Sequence, residues 1–320
     1  MNALGLLSLA GMGLTSLALL AMRAEKVFPR GDGLRASGRR WLRNMLNHAS
    51  FAARRRVRFS RGAYVWPNET KSELFAYLNA ADRRAADVRE GALRAKYALE
   101  KAFNHSLCDD YRETVYHLDV LDELGRLVSN SGLKARRDGA EREAVYAIDV
   151  GSKDFRYALA IERWLTSEYA ANMHLCGIEI DGNGVYRNLH TRRARAEAHC
   201  VAVGPHVRYV VDDFLTHPFE RVDVVTAFFP FVLPFAIEEW GLPMRYFAPE
   251  KFFARYKELI RDGGMLIIAN HTTEEKQRTL ELIHEVGGFV LVASMPMRSL
   301  LVSYQGEVQD RHIQMWRRTP

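Results

Sequence analysis

Residues 144–154 read AVYAIDVGSKD, a short apolar run that ends in Asp149, Val150 and Gly151. A run of this length, rich in Val and Ile and stopped by a glycine, is the pattern of a buried strand. Glycine directly after such a strand lets the backbone turn sharply and approach a ligand closely. Upstream, residues 129–143 (SNSGLKARRDGAERE) are polar, charged and glycine-containing, which predicts a linker. Downstream the texture alternates. A helix is expected around Tyr157–Tyr169, then a strand at His174–Ile180 and a helix around Val185–Ala198. Strands at Val207–Val211 and Val222–Phe228 follow, then a helix around Pro249–Ile260, a strand at Met265–Ala269 and a helix around Glu274–Val286. β-rich sequence continues to Trp316. Alternation of this kind predicts an α/β domain, a doubly wound and mostly parallel sheet with helices on both faces. Ligands bind such sheets outside the carboxyl ends of the strands, where the strand order reverses.

The strand ends are therefore the places to search. Asp149, Gly151 and Ser152 close the first strand. Glu179 and Asp181 close the second, about 30 residues on, where an acid is placed to hold ribose hydroxyls. Asp213 and Phe214 close the third, with a carboxylate for an exocyclic amine and a ring for packing. Each acid taken alone could equally cap the next helix. Three at successive strand ends form a stronger set, because a nucleoside needs those partners together.

The segments IDVGS, GIEID and VDDF, in this order and spacing, resemble the class I S-adenosylmethionine-dependent methyltransferases. The resemblance covers about Ala144–Arg317 and implies a seven-stranded Rossmann-like methyltransferase fold. It also implies a transferase with S-adenosylmethionine as cofactor. By the same likeness Asp149 and Gly151, with Ser152, lie at the methionine and ribose side. Glu179, with Asp181 beside it, holds the ribose, Asp213 meets the adenine amine, and Phe214 lies near the adenine. The family's first motif carries two further glycines where Lys153 and Phe155 stand here.

After the fourth strand comes Phe228-Phe229-Pro230-Phe231. Members that methylate amines carry an Asn or Asp at this place, with prolines and an aromatic; this chain keeps only a proline and aromatics. Phe229, Pro230 and Phe231 thus read either as a substrate loop for a hydrophobic or lipid-like acceptor, or as an apolar loop closing the core. His271 and Glu238 are candidate proton-transfer groups, although a strand-end histidine is more often structural. No metal site is expected: the cysteines Cys108, Cys176 and Cys200 stand far apart, and there is no H-E-x-x-H, G-x-S-x-G or P-loop pattern.

The chain has 320 residues, 48% of them hydrophobic, and a net charge of +6. That charge is uneven. Residues 1–62 hold 12 of the 45 Lys/Arg but only 2 of the 39 Asp/Glu. Basicity confined to one arm argues against a folded domain that coats nucleic acid. Residues 3–22 are free of charge, and 20 helical residues span about 30 Å, one hydrocarbon core. Arginines through residues 30–61 follow at once, a pattern that keeps the following domain cytoplasmic and suits anionic headgroups. The reading is a membrane anchor at 1–22, a basic juxtamembrane arm at 23–68, a helical segment and linker at 69–143 and the methyltransferase-like domain at 144–320. It expects single-pass residence in the inner membrane with the catalytic domain facing the cytoplasm. Against the enzyme stands an alternative, a catalytically inactive methyltransferase-like scaffold at the membrane.

Overall fold

A computed structural model describes residues 33–56, 59, 61–66, 70–74, 76, 79–96, 111–132, 144–169, 172–298 and 310–320. The chain divides into two compact units, Met1–Arg58 with Leu233–Ala248, and Phe59–Val232 with Pro249–Pro320.

In the first unit the basic arm forms helix α1 (Gly33–Arg56), with seven arginines in 24 residues. The helix is held against residues 233–248 by polar clamps. Asn47 donates to the carbonyls of Glu238 and Leu242, each at 3.3 Å, and Asn44 accepts from the Met244 N–H at 3.0 Å. Phe51 is fully buried, edge-on to Tyr246 at 5.2 Å.

The second unit begins with α2 (Lys71–Leu74), α3 (Ala80–Lys96) and α4 (Tyr111–Ser131). The spacing predicts one helix from Lys71 to about Phe103; the structure breaks it. Asn79 accepts the N–H groups of Ala81 and Asp82, both at 2.9 Å, and so starts a new helix. An Asn side chain that can satisfy orphan helix donors favours a cap over a helix interior. The stretch beyond Lys96, to residue 110, lies outside the described residues.

The alternating region then runs β1 (Ala144–Val150), α5 (Ala158–Tyr169), β2 (Asn172–Ile178), α6 (Arg192–Val203), β3 (Val207–Val210) and β4 (Val222–Phe228). After α7 (Pro234–Trp240), in the first unit, come α8 (Pro249–Leu259), β5 (Ile260–Asn270), α9 (Thr273–Val286), β6 (Phe289–Pro296) and β7 (His312–Arg318). The seven strands form one sheet in the order β3-β2-β1-β4-β5-β7-β6. β1 to β5 are mutually parallel, and β7 runs antiparallel to both β5 and β6. The order reverses between β1 and β4, which makes their carboxyl ends the switch point.

The core explains why these runs are strands. Ala147, Met173, Leu175, Val224 and Ile267 pack with Val115, Leu118 and Leu121 of α4 and with Leu159 and Trp164 of α5. α8 and α9 pack together and against β5. Two boundaries differ from expectation. β2 ends at Ile178, so Glu179 and Asp181 fall just past the strand. The helix expected around Val185 begins only at Arg192, because Val185 bridges Thr191 and the Thr191 hydroxyl accepts the Ala194 N–H at 3.0 Å.

The expected single-pass membrane placement is corrected. Among the described residues no helix is long and apolar enough to cross a membrane. α1, which carries most of the basic arm, is too rich in arginine to do so. The stretch Ala3–Met22, on which that expectation rested, lies outside the described residues.

Candidate functional site

Asp149 sits at the switch point. Its register neighbours are Gly177 on β2 and Thr226 on β4, and the Thr226 hydroxyl donates to its Oδ1 at 2.6 Å. Burial pushes its carboxyl up to about 7, with nearby Glu179 adding to the shift and the Thr226 hydroxyl opposing it.

The loop that follows carries the most informative geometry. Gly151 has φ +70°, Lys153 +54° and Phe155 +55°. Three alternating residues thus adopt the left-handed backbone that a glycine-rich loop would supply, although two are not glycines. A bulky residue there is a genuine outlier and costs on the order of 1–3 kcal/mol. What compensates can be named. The Lys153 N–H donates to Glu179 Oε2 at 3.0 Å, and the Tyr209 hydroxyl donates to the Lys153 carbonyl. The Phe155 ring is fully buried beside Gly177 and Tyr209. Gly151 is exposed, and a Cβ added there would meet nothing within 4 Å. The buried Ser152 hydroxyl has no partner among the described residues.

Glu179 closes this loop from β2. Its Oε1 accepts the Asp181 N–H at 2.8 Å while Oε2 takes Lys153, and only 5% of the residue is exposed. Burial raises its carboxyl above the ordinary value, against the pull of Arg192 and the two amides. Two ionised oxygens offer about four acceptor positions, so two amides leave capacity for further donors. Asp181 pairs with Arg192 at 3.0 Å. Asp213 accepts the Leu215 N–H on one oxygen at 3.0 Å. Phe214, by contrast, packs at 5.6 Å on Phe252 and 5.4 Å on Tyr256 of α8, and is 4% exposed.

Behind the loop lies an ionic cluster. Asp154 faces Arg195 at 3.3 Å and Arg156 at 4.0 Å and accepts the Tyr186 hydroxyl at 2.7 Å. Burial alone would raise its carboxyl, but the two guanidiniums and Tyr186 hold it at about 2. Glu113 of α4 pairs with the same two arginines. The loop is thereby clamped to α4 and α6.

Beyond β4, Phe228 meets Tyr157 edge-on at 5.4 Å, and Phe229 stacks on His271 at 3.8 Å. Phe229, Pro230 and Phe231 are all half-buried, and His271 is exposed. Glu238 belongs to the first unit, where its backbone carbonyl accepts from Asn47. Among the described residues no group of His, Cys, Asp or Glu is arranged to hold a metal ion.

The mostly parallel seven-stranded sheet, with acids at the ends of β1 and β2 and a left-handed loop between β1 and α5, decides the fold. It is a class I methyltransferase-like fold. Among solved structures, this chain is similar to the N-methyltransferase NodS from Bradyrhizobium japonicum WM9, with 13% identity and a TM-score of 0.40 over 62% of this chain and 94% of that one. It is similar to TrmN from Thermus thermophilus, with 16% identity and a TM-score of 0.39 over 62% of this chain and 48% of that one. A third is the [4+2]-cyclase SpnF, at 13% identity and a TM-score of 0.40 over 63% and 82% of the two chains. No family model matches the sequence, and no curated protein matches it significantly.

Sequence reasoning singled out Asp149, Gly151, Glu179 and Asp213 because they stand at strand ends, and the structure ties the loop holding Gly151 to Glu179 through the Lys153 N–H. It missed Thr226, a lone polar residue inside the apolar run VDVVTAF, which was a visible signal. It also missed Tyr209 and Arg192, whose contacts with Lys153 and Asp181 depend on long-range packing.

Proposed function

We propose that the chain is an S-adenosylmethionine-dependent methyltransferase acting on a hydrophobic acceptor. One observation carries this reading: the β1–α5 loop holds the alternating left-handed backbone at 151, 153 and 155, tied at its centre to the acid that follows β2. A chain that merely filled a core would not retain two strained non-glycine residues there.

The residues present fit the cofactor. The unpartnered Ser152 hydroxyl and the open space at Gly151 lie along the β1–α5 loop, and Glu179, with spare acceptor capacity, is tied to that loop through the Lys153 N–H. Glu179 would hold the ribose, Asp213 the adenine amine, and Asp149 with Gly151 and Ser152 the methionine side. S-adenosylmethionine, when bound, supplies a methyl group activated on a sulfonium sulfur. The protein's contribution is positioning and exclusion of water, which can account for most of such a rate enhancement. The Phe228–Phe231 loop supplies an apolar acceptor side.

A second reading, a scaffold without catalysis, draws on Phe214 being packed into the α8 aromatic cluster and on Glu179 already accepting two amides. Calorimetric titration of the full chain with S-adenosylhomocysteine separates them. The enzyme reading expects micromolar binding, weakened at least tenfold in Glu179→Gln and in Asp213→Ala while the melting temperature holds. A folded chain that does not bind overturns it in favour of the scaffold.

A further inference from the structure

Helix α1 presents two contrasting faces. Asn44, Asn47, Phe51 and Arg54 all turn to residues 233–248, the first three through the contacts described above. Arg54 does so through its guanidinium, which donates to the Gly241 carbonyl at 3.3 Å. These four positions follow the spacing of a single helical face. At about 100° per residue, Trp41, Leu42, Met45 and Ala49 fall on the opposite side. All four are exposed, Trp41 by 64%, Leu42 by 45% and Met45 by 52%. No other helix segment of this length among the described residues exposes three large apolar side chains. The same helix contains no Asp or Glu. Arg40 and Arg56 are exposed and make no ion pair among the described residues, while Arg55, also exposed, donates to the Tyr246 hydroxyl at 3.4 Å.

We propose that the exposed face of α1 docks on an anionic lipid bilayer, lying in the plane of the headgroups with Trp41, Leu42 and Met45 below them. The contact is peripheral. It differs from the corrected single-pass placement, since α1 rests on the surface and crosses nothing, and it is independent of the methyltransferase reading. A helix with many arginines, no acid and an apolar stripe that includes a tryptophan has the composition of interfacial helices. Tryptophan suits that depth because its ring body is apolar and its N–H is polar. Arginine stems are long enough to keep their guanidiniums at phosphate level while the stripe is immersed. Charge complementarity selects the lipid, because each arginine near an anionic surface adds an attraction that a zwitterionic surface lacks. Nucleic acid would satisfy the arginines and stack on Trp41, yet it offers no apolar volume to Leu42 and Met45.

Flotation of the full chain with vesicles tests this, comparing phosphatidylcholine alone with phosphatidylcholine containing one quarter phosphatidylglycerol. Binding is expected only to the anionic vesicles and should fall steeply with added salt. Because residues 3–22 are themselves uncharged, the assignment to α1 rests on variants. Trp41→Ala combined with Met45→Ala should lose at least about tenfold in partitioning. Arg40→Gln and Arg56→Gln should each lose about fivefold. Tryptophan emission should shift to the blue on binding, and Trp41→Phe should remove most of that shift while keeping the binding. All of these residues are exposed, so the melting temperature should hold in every variant. Anionic-vesicle binding that survives the double Trp41 and Met45 change would overturn the proposal and place the contact elsewhere in the chain. Equal binding to both vesicle types, or none to either, would overturn it as well. Tighter binding of a single-stranded RNA oligonucleotide, lost in the Arg40 and Arg56 variants, would make nucleic acid the partner instead.

Discussion

Gly177 shows how closely single residues are matched at the switch point. A Cβ built on it would come within 2.9 Å of three ring carbons of Phe155, a ring that is fully buried and held by a left-handed backbone. Neither partner can move without disturbing the β1–α5 loop. Gly177→Ala should therefore destabilise the chain by about 1–3 kcal/mol, the range of overpacking. The double variant with Phe155→Leu should lose less than the sum of the two single changes, because the residues share one contact. Urea unfolding of the four proteins gives the coupling directly; strict additivity would mean that the contact is not what restricts position 177. Lys153 is the milder case. Its side chain is half-buried near Asp154, and burial lowers its ammonium from the ordinary lysine value even though Asp154 opposes the shift.

At the scale of elements, the boundaries are decided by caps. Thr70 and Glu73 form a reciprocal pair at the start of α2: the Thr70 N–H donates to Glu73 Oε2 at 2.8 Å, and the Thr70 hydroxyl accepts the Glu73 N–H at 3.3 Å. Asn79 caps α3, accepting the Asp82 N–H and donating to the Asp82 carboxylate at 2.8 Å, and Thr191 caps α6. Removing such a cap costs about 0.5–2 kcal/mol. Thr191→Ala should fall in that range and also slacken the ionic cluster, because Arg192 and Arg195 sit in the first turn of α6. Asn79→Ala should be milder globally and appear as faster amide exchange in the first turn of α3. Equal protection of that turn in both proteins would show that the cap is not what divides the predicted single helix.

At the scale of the whole molecule, buried ionisable groups set the pH response from both sides. His117 and His199 are fully buried, and their ring nitrogens have no hydrogen-bond partner among the described residues. Burial, aided by Arg156 and Arg195, lowers His117 to about 3, and burial with His117 nearby lowers His199 in the same direction. Both are neutral when folded and take a proton more readily when unfolded. Their contribution to stability is present above about pH 6.5 and is lost as the pH falls below that. Asp149 and Glu123 behave oppositely. Burial raises both to about 7, so the unfolded chain releases their protons first. Stability from them is present below about pH 4 and is lost as the pH rises through about 7. Asp149→Asn, which keeps an acceptor for Thr226, should flatten the decline between pH 5 and 8. His199→Gln should flatten the loss between pH 6.5 and 4. Urea midpoints across pH 4–8 measure both; parallel curves for wild type and variants would refute the assignment.

Much of this architecture was legible in the chain itself. Apolar runs of strand length, alternating with helical stretches, can bury their residues only in a sheet covered on both faces, so the α/β class and most element positions followed from pattern. Asp149, Glu179 and Asp213 were legible because a strand end is a local feature. Tertiary structure alone decided the rest. It showed that Lys153 and Phe155 keep a glycine-like backbone, since their strain is compensated by Tyr209, Glu179 and Gly177, residues 22 or more positions away. It turned Phe214 into the α8 cluster and made Phe229, His271 and Arg311 neighbours. Periodicity reports which residues must be buried, because burial repeats with the local geometry of the chain. Which distant side chain meets which depends on strand order and register, and no local pattern contains these.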